Sequence, residues 1–126
     1  ILRPADPWFD RYIFPGGQVP PLSMLIDGVC DNGMNVVDVE NLRLHYARTC
    51  RDRLERFDDS AEAVREMFDE PFVRTWRMYL AASVNAFQVG GLQLFQVLLA
   101  REGDNTVPWT RGHLYRHVDK SSVPGS

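Results

Sequence analysis

The stretch Asn35–Cys50, NVVDVENLRLHYARTC, decides how the rest of the chain is read. Val36, Val37 and Val39 are β-branched, and Asp38 and Glu40 interrupt them, the pattern of a strand at the edge of a core. Asn41 ends that strand. From Leu44 the apolar positions fall at Ala47, Cys50, Leu54 and Phe57, in steps of three and four, which predicts a helix to about Phe57. Tyr46 sits just past the join. Rigid elements on both sides of a junction hold a side chain in place, so Tyr46 is a candidate site residue.

Working outward, Ile1–Asp10 contains Pro4, Pro7 and Trp8 and predicts an extended or loop segment, because each proline steers its predecessor away from helix. RYIFPGG at Arg11–Gly17 is an aromatic cluster closed by a Pro-Gly-Gly turn. Pro20 and Pro21 open a helix with Leu22, Leu25, Ile26 and Val29 on its apolar face, and Asn32-Gly33 stops it. Beyond Phe57, Asp58-Asp59-Ser60 breaks the chain, with Asp59 or Ser60 as the cap of a short helix over Ala61–Phe68. A longer helix follows over Pro71–Val89, with the stripe Phe72, Trp76, Tyr79, Leu80, Ser83 and Phe87, and Gly90-Gly91 ends it. Leu92–Ala100 predicts a second strand, paired with Val36–Glu40. Two strands and about four helices make an α/β arrangement. Two paired strands alone are marginal in water, which points to a larger sheet upstream of Ile1.

The chain has 126 residues, which suits one small domain or part of a larger one. Its net charge is −3, so no sequence-wide attraction to nucleic acid is expected. Lys120 is the only lysine among the 14 basic residues. Arg48, Arg51, Arg53, Arg56, Arg74 and Arg77 gather on two helices, either as a solvated face balanced by Asp52, Glu55, Asp58 and Asp59 or as a contact for lipid headgroups. Cys30 and Cys50 lack metal-ligand spacing and read as buried, reduced thiols of a cytosolic protein. His113 and His117 stand four apart, as metal ligands on a helix can, but no third ligand accompanies them. No apolar run is long enough to span a bilayer. The opening ILRPADPW has neither a signal-peptide pattern nor an initiator methionine, which suggests a start inside a longer protein. Lys120–Ser126 reads as disordered.

Four segments in this order and spacing carry a family resemblance: RYIFPGG at Arg11–Gly17, VENLRLHYARTC at Val39–Cys50, RMYLAASVNAF at Arg77–Phe87 and LQLFQVLLAR at Leu92–Arg101. They resemble the C-terminal part of the cyclopropane-fatty-acyl-phospholipid synthases and mycolic acid methyltransferases, from roughly Pro7 to Tyr115. The resemblance implies the C-terminal portion of a class I, Rossmann-like methyltransferase domain over residues 7–115, with residues 116–126 as a disordered tail. It implies transfer of a methylene or methyl group from S-adenosylmethionine to the double bond of an unsaturated fatty-acyl lipid. A carbocation forms on the lipid, and bound bicarbonate takes up the proton. By the same resemblance Tyr46 helps hold the bicarbonate, and Phe14, Tyr79, Ser83 and Phe87 line the acyl channel.

The family's cofactor loop and the other bicarbonate ligands have no counterpart here, because Gly16-Gly17 and Gly90-Gly91 do not follow a strand and open a helix. No cofactor-binding residue is therefore expected in this segment, and the segment alone is expected to be inactive. The expected setting is cytoplasmic or at a membrane surface, with homo-oligomers as a further option and no nucleic-acid partner. Two other readings stand beside the enzyme: a non-catalytic or oligomerising lipid-binding segment, and a same-fold methyltransferase for another apolar substrate. Without the resemblance, Tyr46 would be a half-buried helix tyrosine, and the stripe through Trp76, Tyr79, Ser83 and Phe87 an ordinary helix core. Ser83 is the informative member, since it either leaves room for a chain or bonds back to its own helix.

Overall fold

The structure, a computed structural model, describes residues 3–4 and 6–115. In chain order the elements are β1 (Arg3–Pro4), α1 (Pro7–Tyr12), β2 (Gln18–Val19), α2 (Leu22–Asp31), β3 (Met34–Asn41), α3 (Arg43–Asp59), α4 (Ala61–Met67), α5 (Glu70–Val89), β4 (Phe95–Arg101) and a 3-10 helix (Arg111–Tyr115).

The junction predicted from Asn35–Cys50 is present: β3 ends at Asn41 and α3 begins at Arg43. β3 pairs antiparallel with β4, from Met34 opposite Arg101 to Asn41 opposite Phe95. The register shifts between Val36 and Asp38, so Val37 is the extra residue of a bulge. Helices α3 and α5 pack along one another and hold most of the core. Ala47 and Cys50 come from α3; Val73, Leu80, Ser83 and Phe87 come from α5; Val29 comes from α2. An antiparallel two-stranded ribbon flanked by helices matches the strand pairing and helices expected from the sequence.

Several local expectations change. Pro7–Tyr12 is helical rather than extended, because Asp6 caps it through a 2.9 Å bond from the Trp8 N–H and Pro7 occupies the tolerated first position. Helix α1 is thereby added to the four α-helices expected, and β1 and β2 add a second short pairing. Neither Asp59 nor Ser60 caps α4 with a side chain; Asp59 still belongs to α3. β4 starts at Phe95, not Leu92, because the chain first turns through Gly90, whose φ of 86° ends α5 in the left-handed region. The Leu92 N–H then bonds the Ala86 carbonyl at 3.1 Å, and Leu92 and Leu94 pack against the core ahead of the strand, with the Leu94 carbonyl accepting from the Leu42 N–H at 2.8 Å. The core stripe of α5 includes Val73, while Trp76 stays 37% exposed. Leu44 at the start of α3 is also exposed. Residues 116–126, which include His117, Lys120 and the expected disordered tail, lie outside the described residues.

Candidate functional site

Tyr46 lies one turn into α3. Its backbone N–H bonds the Leu42 carbonyl at 2.9 Å, and its ring meets the Phe87 ring of α5 edge-to-face, with centroids 4.9 Å apart. The pair sits over the cluster of Ala47, Cys50 and Phe87, with Val84, Leu92 and Leu94 around it. The Arg53 guanidinium, two turns further along α3, stands 5.8 Å from the Tyr46 ring centroid, within cation–π range. Packing from three sides fixes the ring plane and leaves the phenol as the polar end of an apolar cluster.

Tyr79 is the second phenol. Its ring touches Phe9 at 6.0 Å and Phe14 at 5.8 Å, both near edge-on, and Trp76 at 5.0 Å. Burial pushes the Tyr79 phenol above its ordinary value, and the Tyr46 phenol adds to that, with the Ser83 hydroxyl and, less strongly, the Arg53 charge opposing. Tyr79 is therefore a neutral hydroxyl at neutral pH. Ser83 is buried, and its Oγ donates to the Tyr79 carbonyl at 2.8 Å. Of the two readings of Ser83, the structure shows the bond back to its own helix.

The five residues singled out from the sequence fall into two linked groups. Tyr46 and Phe87 are in ring contact; Phe14 and Tyr79 are in ring contact; Ser83 is one turn from Tyr79 on α5. Phe14 is 54% exposed and reaches Tyr79 from a turn, not from a helix. That turn has Pro15 second and Gly16 third, Gly16 at φ 72°, and the Gly17 N–H bonds the Phe14 carbonyl at 2.9 Å, the pattern of a type II turn. A cleft of about 400 Å³ lies elsewhere, between the β3 bulge and residues 104–114, where Arg111 pairs with Asp38 at 2.7 Å.

Three sets of contacts were not assigned by the sequence reading. Trp76 and Phe72 continue the aromatic contacts from Tyr79 along α5, and Phe68, at the end of α4, stacks on Phe72 at 4.3 Å. Arg53 reaches the Tyr46 ring. Arg43 donates from Nη1 to the Phe87 and Gln88 carbonyls, both at 2.7 Å. Only the aromatic run had a sequence signal, the four-residue spacing of Phe68, Phe72 and Trp76.

The other candidates resolve as follows. Arg77 forms a two-point pair with Asp58 at 2.8 and 3.0 Å, which joins α5 to the end of α3 at an exposed position. His113 Nδ1 pairs with the Thr110 carbonyl at 3.0 Å, and no group of three metal-ligating side chains occurs among the described residues. No helix among them is long and apolar enough to cross a membrane. Cys50 is buried as expected, but Cys30 is exposed, because α2 turns that position away from its buried Val29. Burial pushes the Cys50 thiol up, against the pull of Arg53. Iodoacetamide at neutral pH is therefore expected to label Cys30 and spare Cys50, as peptide mass spectrometry of the native protein would show.

A family model described as "Mycolic acid cyclopropane synthetase" matches residues 2–97. A probable fatty acid methyltransferase of Pseudomonas putida is 40% identical over 119 residues, 92% of this chain and 30% of that protein. The tuberculostearic acid methyltransferase UfaA1 of Mycobacterium tuberculosis is 41% identical over 103 residues, 80% of this chain and 24% of that protein. The solved structure of the cyclopropane synthase MmaA2 from Mycobacterium tuberculosis superposes with a TM-score of 0.73 at 26% identity, over 75% of this chain and 33% of that one. The chain thus spans about a third or less of the length of each.

Proposed function

The chain belongs to the mycolic acid cyclopropane synthetase family, and from that premise we propose that it forms the C-terminal part of a fatty-acyl C-methyltransferase. The enzyme transfers a methylene or methyl group from S-adenosylmethionine to the double bond of an unsaturated acyl chain, and the isolated segment does not catalyse. The observation that carries this reading is the Tyr46 phenol, held at the start of α3 by its contact with Phe87.

The described residues do not fit S-adenosylmethionine. A Rossmann-like cradle needs a strand that runs through a glycine-rich turn into a helix. Gly90-Gly91 instead leads from a helix towards a strand, and Gly16-Gly17 lies between α1 and β2. No such cradle occurs among the described residues.

A small oxyanion is better matched. The Tyr46 O–H can donate one hydrogen bond to it, and Arg53 adds a positive charge beside the same ring. Bicarbonate held there would accept the proton that an alkylated double bond must lose. The faces of Tyr79, Trp76 and Phe14 offer negative π density to a carbocation and apolar area to the chain. Each methylene buried on such a wall contributes about 0.8 kcal/mol. Phe14 forms the open side of this acyl wall, Tyr79 is half-buried behind it, and Ser83 and Phe87 are its buried backing. A peripheral membrane surface is the natural source of the lipid.

The reading is tested with the full-length protein, S-adenosylmethionine carrying a deuterated methyl group, and vesicles of mono-unsaturated phospholipid. Mass spectrometry is expected to show acyl chains that have gained the labelled carbon. Retention of every methyl deuterium marks a methyl branch, and loss of one marks a cyclopropane or a methylene. Cofactor turnover without labelled acyl chains would overturn the lipid assignment.

A further inference from the structure

Resting on the Tyr46 role proposed above, we infer that Arg43 is a positioning residue: it locks the end of α5 to the start of α3 and so fixes the Phe87 ring against Tyr46. The last carbonyls of a helix have no partners within it. Gly90 turns α5 off in the left-handed region, and Leu92 N–H satisfies only the Ala86 carbonyl. The next two carbonyls, of Phe87 and Gln88, are both taken by Arg43 Nη1 at 2.7 Å. α5 has no basic residue in its own last turn, so the cation that complements the negative end of its dipole comes from α3.

Arg43 is itself held. Its backbone N–H bonds Asn41 Oδ1 at 3.0 Å, Asn41 Nδ2 bonds Gln93 Oε1 at 3.1 Å, and the Leu42 N–H bonds the Leu94 carbonyl at 2.8 Å. Both sides of the α5–β4 turn are thereby tied to the β3–α3 join. Tyr46 lies three residues after Arg43, on the neighbouring position of the helix surface. Phe87 is gripped twice, its carbonyl by Arg43 and its ring by Tyr46. Without the guanidinium, the last turn of α5 loses its anchor to α3 while the rest of the helix pair keeps its packing. The Phe87 ring can then drift from Tyr46, and displacement of a reacting group by about 1 Å can lower a rate by about a hundredfold.

An Arg43 that merely caps α5 would act independently of Tyr46; a positioning residue would act only through it. In the full-length protein Arg43→Met is expected to lower kcat about tenfold to a hundredfold with the lipid KM within about twofold. Arg43→Lys, which keeps the charge but not the planar fork, should fall between that variant and the parent. The double variant Tyr46→Phe/Arg43→Met should turn over no more slowly than Tyr46→Phe alone. Losses that multiply instead would overturn the inference. If Arg43→Met fails to fold, the same cycle is run with Arg43→Lys. If Tyr46→Phe proves fully active, the Tyr46 role fails by itself, and the positioning is read from fluorotyrosine NMR. A Tyr46 resonance unmoved in Arg43→Lys would then overturn the inference, and a shifted one would support it.

Discussion

Tyr46→Phe is expected to lower turnover of the full-length enzyme about a hundredfold to a thousandfold, the range seen when one preorganised donor is removed from a water-excluded site. The substitution leaves the ring in place. The edge-to-face contact with Phe87 at 4.9 Å and the packing over Ala47 and Cys50 do not need the hydroxyl, so the melting temperature should move by no more than about 2 °C. Steady-state kinetics with a thermal melt on the same preparation would check both halves. Wild-type turnover in this variant would remove Tyr46 from the site. A fold that melts far lower would mean that the phenol is structural.

Phe87→Ala should be the most destabilising single truncation in this part of the molecule, at about 3–5 kcal/mol in denaturant unfolding. Phe87 is 8% exposed and is the one ring in the cluster with Ala47 and Cys50. Its removal leaves a cavity between α3 and α5, lined by Tyr46, Ala47, Cys50 and Val84. The core is thin, since no large side chain among the described residues is fully buried, so one lost ring is a large share of it. Phe87→Leu keeps most of the volume and should cost less than about 1.5 kcal/mol. If Phe87 also backs the acyl wall, the leucine variant should change the preferred chain length while remaining folded. Equal stability of the alanine variant and the parent would show that the cluster is not a core.

Much of the fold was legible because its signals are local. The switch from alternating valines to three- and four-residue spacing marks the β3–α3 join, and Gly90 marks the end of α5 because a positive φ there suits a residue without a Cβ. The misplaced features were those settled by competition between local preferences. Asp6 supplies a cap that outweighs the pull of the prolines towards extended chain. Leu92 and Leu94 read as strand by alternation, yet tertiary packing takes them into the core. Cys30 was expected inside because thiols usually are, but its position on α2 faces outward.

The candidate site divides in the same way. The segments RYIFPGG and VENLRLHYARTC by themselves pointed to the family, to Tyr46 and to Phe14, since identity and order along the chain are sequence properties. That Tyr46 meets Phe87, that Phe14 meets Tyr79 from a turn, and that Ser83 bonds its own helix depend on how α3, α5 and the Phe14 turn come together. Arg43 is the clearest case. Nothing around it distinguishes one more arginine in an arginine-rich chain. Its role arises only because the α3–α5 packing brings two partnerless carbonyls within 2.7 Å of it, from 44 and 45 residues away. Pairing at that separation is set by the packing of whole elements, which no local pattern encodes.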